Sequence, residues 1–281
     1  MFLITGGDGQ LGSALQRTLA ARGETSVAFT HATLDVGDAA ALDRAFSRCR
    51  PRVVVNCAAL TKVDACEREP ALAERVNAQA PALLARACAA SGAKLIQLST
   101  DYVFGGDAQQ PYREDDTPAP RSVYGRTKLA GERAALEAPG ALVVRTSWVY
   151  GRGRNFPAAI LAQAREGKPL RVVADQRGRP TYATDLAEAV VELARLDARG
   201  VVHFANDGEA TWLELARVLL DSCGFADRPI QSLSTEELGL PAPRPRYSVL
   251  DLGKAKALGI VPRDWRQALA AYLASADAPS H

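Results

Sequence analysis

Histidine and cysteine are scarce in this 281-residue chain, with three and five copies. The cysteines (Cys49, Cys57, Cys66, Cys88 and Cys223) are dispersed and form no C-x-x-C pair. An odd, scattered set points to free thiols in a reducing compartment, not to disulfides or a zinc site. A catalytic thiol needs a base partner, and only His31 and His203 precede His281, so the cysteines are expected to be structural. No G-x-S-x-G elbow is present, which argues against serine hydrolase chemistry. No apolar run approaches the ~20 residues needed to span a bilayer. Residues 1–5 carry no basic region or cleavage site, so they are not read as a signal peptide. An excess of one charge sign is also missing. With 34 basic against 32 acidic residues, the net charge is +2, which argues against a nucleic-acid binder held by phosphate contacts. A cytoplasmic chain with no membrane or nucleic-acid partner is the expectation.

What is present is a foldable α/β chain, 47% hydrophobic and 23% charged. Short apolar runs at 2–5, 26–30, 52–57, 94–99 and 141–146 read as buried strands. Between them, 11–22, 39–48, 71–91 and 122–136 carry Ala, Leu, Arg and Glu at helical spacing. Gly23, Gly92 and Gly140 fall where helices should stop. Strand and helix in alternation mean a Rossmann-type, doubly wound parallel sheet. The second half is less regular. It has helices expected at 156–166 and 185–196, strands at 171–174 and 201–205, and a helix from the capping box of Thr211 and Glu214 to Cys223. A proline-rich loop at 241–246, a short helix near Lys254 and a helix at 264–274 follow, with fraying expected at the last few residues. This half reads as a smaller C-terminal lobe against the carboxyl ends of the strands. The expected division is a nucleotide-binding domain of 1–148 plus about 184–205, and a substrate-binding lobe of about 149–183 and 206–281.

The first strand runs into Gly6-Gly7-Asp8-Gly9-Gln10-Leu11-Gly12 and then a helix. Glycines at 6, 9 and 12 permit a tight turn and close backbone approach to a pyrophosphate, at which the helix aims its free N–H groups. Between a first strand and a first helix this pattern signals a dinucleotide site. The second strand ends in Phe29-Thr30-His31-Ala32-Thr33, with neither the carboxylate that favours NAD nor an arginine. NADPH is therefore tolerated but not positively selected, and NADH is possible. Asp35, followed by Val36, either lies along the adenine or serves the following loop.

Tyr124 and Lys128 are four residues apart, hence on one helix face. An ammonium beside a phenol lowers its pKa toward the working range of a general acid. The bland alternative is two surface residues, but the pair follows the fourth strand, at the sheet's carboxyl end where such folds bind ligands. That strand ends in Leu98-Ser99-Thr100-Asp101-Tyr102, offering a hydroxyl to a carbonyl oxygen as charge builds on it. Ser/Thr, Tyr and Lys together suit carbonyl reduction, with hydride from a reduced nicotinamide.

These residues resemble the extended short-chain dehydrogenase/reductase family, and within it the branch that reduces nucleotide-linked ketosugars. The resemblance runs through most of the chain. It includes Val55–Thr61, Ser99-Thr-Asp-Tyr-Val-Phe104, Tyr124–Lys128 with Leu129-Ala-Gly-Glu132, Arg145-Thr-Ser-Trp-Val-Tyr150, Thr211-Trp212 and Arg244-Pro245. It implies NAD(P)H-dependent reduction of the C4 ketone of dTDP-4-dehydro-L-rhamnose. By position, Tyr124 is the proton donor, Lys128 its partner and ribose clamp, and Thr100 the hydroxyl on the substrate carbonyl. Gly6, Gly9, Gln10, Leu11 and Gly12 hold the pyrophosphate, Asp35 and Val36 border the adenine, and Ala59, Leu60, Thr61 and Leu98 line the cofactor groove. Asp101 and Trp148 look like sugar-nucleotide contacts, although Trp148 also suits a core position. Arg244 and Arg246 suit a diphosphate, or equally a solvated surface. Some relatives bridge a dimer through a metal held by a first-helix carboxylate; Ser13-Ala-Leu-Gln16 has none, so no metal is expected, and a monomer or homodimer remains open. Two other readings stand beside this one. A non-catalytic NADP-binding partner, like the regulatory beta subunit of methionine adenosyltransferase, would not require the set of Thr100, Tyr124, Lys128 and Trp148. Another nucleotide-sugar reductase or epimerase would.

Overall fold

The computed structural model describes residues 1–279; the expected fraying at the chain end falls partly on 280 and 281, outside the described residues. The strands are β1 (Phe2–Thr5), β2 (Ser26–Phe29), β3 (Val53–Asn56), β4 (Lys94–Thr100), β5 (Leu142–Thr146), β6 (Val149–Tyr150), β7 (Leu170–Val173), β8 (Arg177–Gly178), β9 (Thr181–Tyr182), β10 (Gly200–His203), β11 (Ala210–Thr211) and β12 (Ile230–Leu233). Six of them form one sheet in the order β2-β1-β3-β4-β5-β10, parallel throughout. Runs such as Val53-Val54-Val55 are unbroken rather than alternating because helices cover both faces of a parallel sheet.

The α-helices are α1 (Gln10–Ala21), α2 (Ala39–Cys49), α3 (Val63–Arg68), α4 (Pro70–Glu74), α5 (Ala80–Ser91), α6 (Val123–Leu136), α7 (Phe156–Arg165), α8 (Ala183–Arg195), α9 (Trp212–Ser222), α10 (Thr235–Leu238), α11 (Gly253–Ala257) and α12 (Trp265–Leu273). Leu15 and Leu19 of α1 and Val190 and Leu193 of α8 pack on one face around Ile4, Ile96 and Val144. Leu42 and Phe46 of α2, Leu84 and Cys88 of α5 and Ala135 of α6 close the other around Leu3, Val54 and Leu95. A further core gathers Ile160, Leu161, Leu215, Leu219, Trp265 and Tyr272. The Thr211–Glu214 capping box forms as its spacing predicts.

The expected single helix over 71–91 is instead broken. Its middle, Arg75–Gln79, is π-helical, with Ala80 N–H reaching the Arg75 carbonyl five residues back. Pro81 has no N–H to give Asn77 in α register, which favours the wider turn. The bulge serves a purpose: Asn77 Oδ1 accepts from Leu60 N at 2.9 Å and its Nδ2 donates to Leu60 O at 3.1 Å, pinning the loop after β3. The helix Val63–Arg68 and the short strands β6, β8, β9, β11 and β12 escape sequence reading, because two to six residues carry too little periodicity.

Candidate active site

The carboxyl ends of β1, β3, β4 and β5 open into a cleft of about 680 Å³. The sheet order reverses between β1 and β3, the place where open α/β sheets bind ligands. The glycine turn forms its floor. A Cβ on Gly12 would fall 2.2 Å from the Gly6 carbonyl oxygen, so α1 starts this close to β1 only with glycine there.

A polar ladder crosses the ends of three neighbouring strands. Thr5 Oγ1 donates to Asn56 Oδ1 at 2.5 Å, Asn56 Nδ2 to Gln97 Oε1 at 2.7 Å, and Gln97 Nε2 to the Leu98 carbonyl at 2.8 Å. The same carbonyl accepts from Lys128 Nζ at 2.6 Å. Buried polar groups need partners, and this chain of bonds satisfies each in turn while fixing the lysine.

Helix α6 delivers Tyr124 and Lys128 together. Ser122 caps it by accepting from Gly125 N, and Glu67 Oε1 accepts from Val123 N at 2.7 Å. Gly125 lets the helix press against the turn after β4, since a Cβ would lie 2.2 Å from the Tyr102 carbonyl oxygen. The Tyr124 hydroxyl is thereby set beside the Thr100 hydroxyl, and Tyr102 packs edge-on against the Tyr124 ring. Thr100 Oγ1 donates onward to Asp101 Oδ1 at 3.0 Å.

The electrostatics differ from the sequence expectation in one respect. Acidification of Tyr124 by Lys128 is not what the side chains show. Burial raises the phenol well above its ordinary value, and the nearby Thr100 hydroxyl offsets this only in part. Burial also drives Lys128 down to about 8, with the Glu132 carboxylate and Cys57 opposing. Both effects have one cause, the cost of holding charge away from water. Tyr124 thus stays protonated at neutral pH, as a proton donor must be. Asp101, 2% exposed, is pushed up to about 6 by burial, with the nearby Ser248 and Thr100 hydroxyls opposing. Burial pushes the Cys57 and Cys88 thiols up to about 12, so they remain protonated; all five cysteines are free. His203, fully buried beside Arg145, is held down to about 3 and stays neutral.

Of the residues singled out by sequence, Gly6, Gly9, Gln10, Leu11, Gly12, Ala59, Thr61, Leu98, Thr100, Asp101, Tyr124, Lys128 and Trp148 line this one cleft. Leu60 does not; its backbone is turned to Asn77. Nor do Asp35 and Val36. Asp35 Oδ1 accepts from Gly37 N at 2.8 Å, its other oxygen pairs with Arg75, and Asp38 is the residue that caps α2. Arg244 is committed to Asp64 by two bonds of 3.1 and 2.7 Å, and Arg246 pairs with exposed Glu236. Sequence reasoning quoted Trp212 only within the resemblance and gave no site role to Trp212, Arg152 or Arg154, which also line the cleft. The spacing Arg152-Gly-Arg154 after a strand was a usable signal, since cations beside a glycine turn suit phosphate. Arg75 is a second omission. It lies 40 residues from Asp35 in sequence, yet brings a guanidinium to the loop after β2.

The cleft suits a polar ligand such as a nicotinamide dinucleotide. Gln10 Oε1, Ser99 Oγ and Thr146 Oγ1 are buried on its walls with no partner of their own. Buried polar atoms left unpaired are costly and mark where a ligand's polar groups belong. The glycine turn would hold the pyrophosphate, and Lys128 the ribose beside the nicotinamide. Among the described residues, no three His, Cys, Asp or Glu side chains gather as metal ligands. No described helix is long and apolar enough to cross a membrane.

A six-stranded parallel sheet, a glycine turn at its switch point and a Thr-Tyr-Lys set in the same cleft define a dinucleotide-dependent oxidoreductase of the extended short-chain class. The chain belongs to the family described as RmlD substrate binding domain, whose pattern matches residues 1–278. It is 45% identical over 277 residues to the dTDP-4-dehydrorhamnose reductase of Streptomyces griseus, covering 95% of this chain and 91% of that one. It is 46% identical over 276 residues to a probable dTDP-4,6-dihydroxy-2-methyloxan-3-one 4-ketoreductase of Streptomyces antibioticus, covering 95% and 92%. The crystal structure of dTDP-4-dehydrorhamnose reductase from Bacillus anthracis in complex with NADP superposes with a TM-score of 0.94 at 35% identity, covering 97% of this chain and 98% of that one.

Proposed function

We infer that this protein reduces the C4 ketone of dTDP-4-dehydro-L-rhamnose to dTDP-L-rhamnose, using NADPH, with NADH as a possible substitute. The observation that carries the reading is the hydroxyl pair of Tyr124 and Thr100 with Lys128, in the same cleft as the glycine turn. The reduced nicotinamide, when bound, supplies hydride to C4. With substrate bound, the Thr100 O–H turns from Asp101 to the ketone oxygen, and the Tyr124 O–H gives that oxygen a proton as negative charge develops. Lys128, fixed by the Leu98 carbonyl, replaces part of the stabilisation that water would give the emerging phenolate. Before substrate binds, Asp101 holds Thr100 in place by accepting its O–H, and Trp148 contacts the sugar nucleotide. Arg152 and Arg154, at the glycine-turn end of the cleft, favour bound phosphate more than the committed Arg244 does.

The same reading divides the chain into a cofactor-binding unit of 1–148 with about 184–205, and a substrate lobe of about 149–183 and 206–281. Support comes from the separate core around Trp265 and Tyr272. A cytoplasmic monomer or homodimer, acting on a nucleotide sugar, completes it.

The test follows NADPH absorbance with dTDP-4-dehydro-L-rhamnose as substrate. Turnover should fall by about 10²–10⁴-fold in Tyr124→Phe. Undiminished turnover in that variant would remove Tyr124 from the chemistry. Tight NADPH binding without turnover on any nucleotide ketosugar would instead favour a non-catalytic binding protein. Faster turnover of another dTDP-4-ketosugar would move the assignment to that substrate.

A further inference from the structure

We propose that Trp212 is a positioning residue, holding the Trp148 indole as a platform for the sugar ring of the substrate. The proposal rests on Trp148 contacting the nucleotide sugar, as read above. The two indoles stack with ring centroids 3.7 Å apart and planes 6° apart, and both line the cleft. Trp148 adopts φ +47°, the left-handed region that a bulky side chain avoids. Such strain persists only where the surroundings over-determine the conformation, and it concentrates at ligand sites.

Two neighbours determine it here. One is Gly178 of β8, where a Cβ would fall 2.6 Å from Trp148 Cε2, so the ring is seated against bare backbone. The other is Trp212, which is itself anchored. Its Nε1 donates to Gln176 Oε1 at 3.1 Å, Gln176 Nε2 donates to Thr235 Oγ1 at 3.0 Å, and that hydroxyl donates to Asp175 Oδ1 at 2.7 Å. Phe156 packs on the Trp212 ring at 4.6 Å. The Trp148 indole is held by packing, whereas the Trp212 indole is tied to a chain of hydrogen bonds in the second half of the sequence.

Register places the platform just past the end of the strand next to the one that ends in Thr100. Thr100 and Thr146 are partners across β4 and β5, and Trp148 lies two residues beyond Thr146. An indole face is apolar and electron-rich, so it suits the C–H face of a deoxyhexose rather than its diphosphate.

The experiment compares Trp212→Leu, Trp212→Phe, Gly178→Ala and Trp148→Ala. The readouts are circular dichroism, KM for the ketosugar, and direct binding of NADPH and of dTDP. Two stacked indoles couple their electronic transitions into a paired dichroic band that a lone indole lacks. Trp212→Leu should abolish that band and raise KM about tenfold, with NADPH and dTDP affinities unchanged. Trp212→Phe should restore most of the KM. Gly178→Ala should reproduce the KM defect with both tryptophans present, and it decides the matter if Trp212→Leu fails to fold. An unchanged KM in both Trp212→Leu and Gly178→Ala would overturn the proposal, as would equal weakening of dTDP, which places the ring on the base. If Trp148→Ala raises KM and Trp212→Leu does not, only the positioning role fails. If Trp148→Ala leaves KM unchanged, the sugar contact itself has failed.

Discussion

Lys128 Nζ is bonded to the carbonyl oxygen of Leu98 at 2.6 Å, and that carbonyl is the last station of a polar ladder from Thr5 through Asn56 and Gln97. The ammonium is 4% exposed, so it is aimed by the sheet rather than by solvent. Its helix face supplies proximity to Tyr124; the strand ends supply direction.

The buried lysine should show itself in stability. Its value in the folded chain is about 8 against 10.5 unfolded. Between those values the unfolded chain holds more protons, so wild-type stability rises with pH through this window. Lys128→Met has no such slope. From pH 8 to 10.5 wild type should gain on the order of 3 kcal/mol relative to the variant, read from urea midpoints. Activity should run the other way. The kcat/KM of wild type should fall above pH 8 as Lys128 loses its charge, and Lys128→Arg, though slow, should lack that limb.

Asp101 carries the opposite signature. Its folded value of about 6 lies above 3.8, so the native chain holds the extra proton and stability falls as pH rises through that range. Asp101→Asn keeps the shape and drops the buried charge. At pH 7 it should gain on the order of 3 kcal/mol over its standing at pH 3.8, relative to wild type, in denaturant titrations at both values.

Arg145 and Glu132 form the most buried ion pair, with two bonds of 2.9 and 2.8 Å and side chains 4% and 2% exposed. Breaking it strands a charge in the core. Arg145→Met should cost about 3–5 kcal/mol, and the double variant Arg145→Met with Glu132→Leu should recover most of that. Chemical denaturation of the four proteins of the cycle measures both.

Arg75 lies outside the cleft but brings a guanidinium, neutralised by Asp35, to the loop after β2, the side from which a dinucleotide's adenosine end would approach. Freeing it by Asp35→Asn should raise affinity for NADPH relative to NADH, and Arg75→Ala should lower it. Each change should amount to roughly fivefold to tenfold in the ratio of dissociation constants at low salt.

Local pattern made much of this legible. The glycine turn, the unbroken Val53–Val55 run and the Thr211–Glu214 box all depend on neighbours within a few residues, which a sequence displays directly. A second capping box, Ser234 with Glu237, was equally readable from its spacing. The π-helical break at Arg75–Gln79 was not, because a single five-residue turn is too short to leave a period of its own in the sequence.

By itself the sequence determined the alternation of strand and helix, the phosphate turn, and the helical spacing that puts Tyr124 and Lys128 on one face. These follow from the period of side chains along a backbone, which is a local property. The tertiary structure alone decided that Lys128 meets the Leu98 carbonyl, that Asp35 and Arg244 are taken by Arg75 and Asp64, and that Trp148 stacks on Trp212. It also decided the sign of the change at Tyr124, since desolvation depends on everything packed around a group and only folding creates that surrounding.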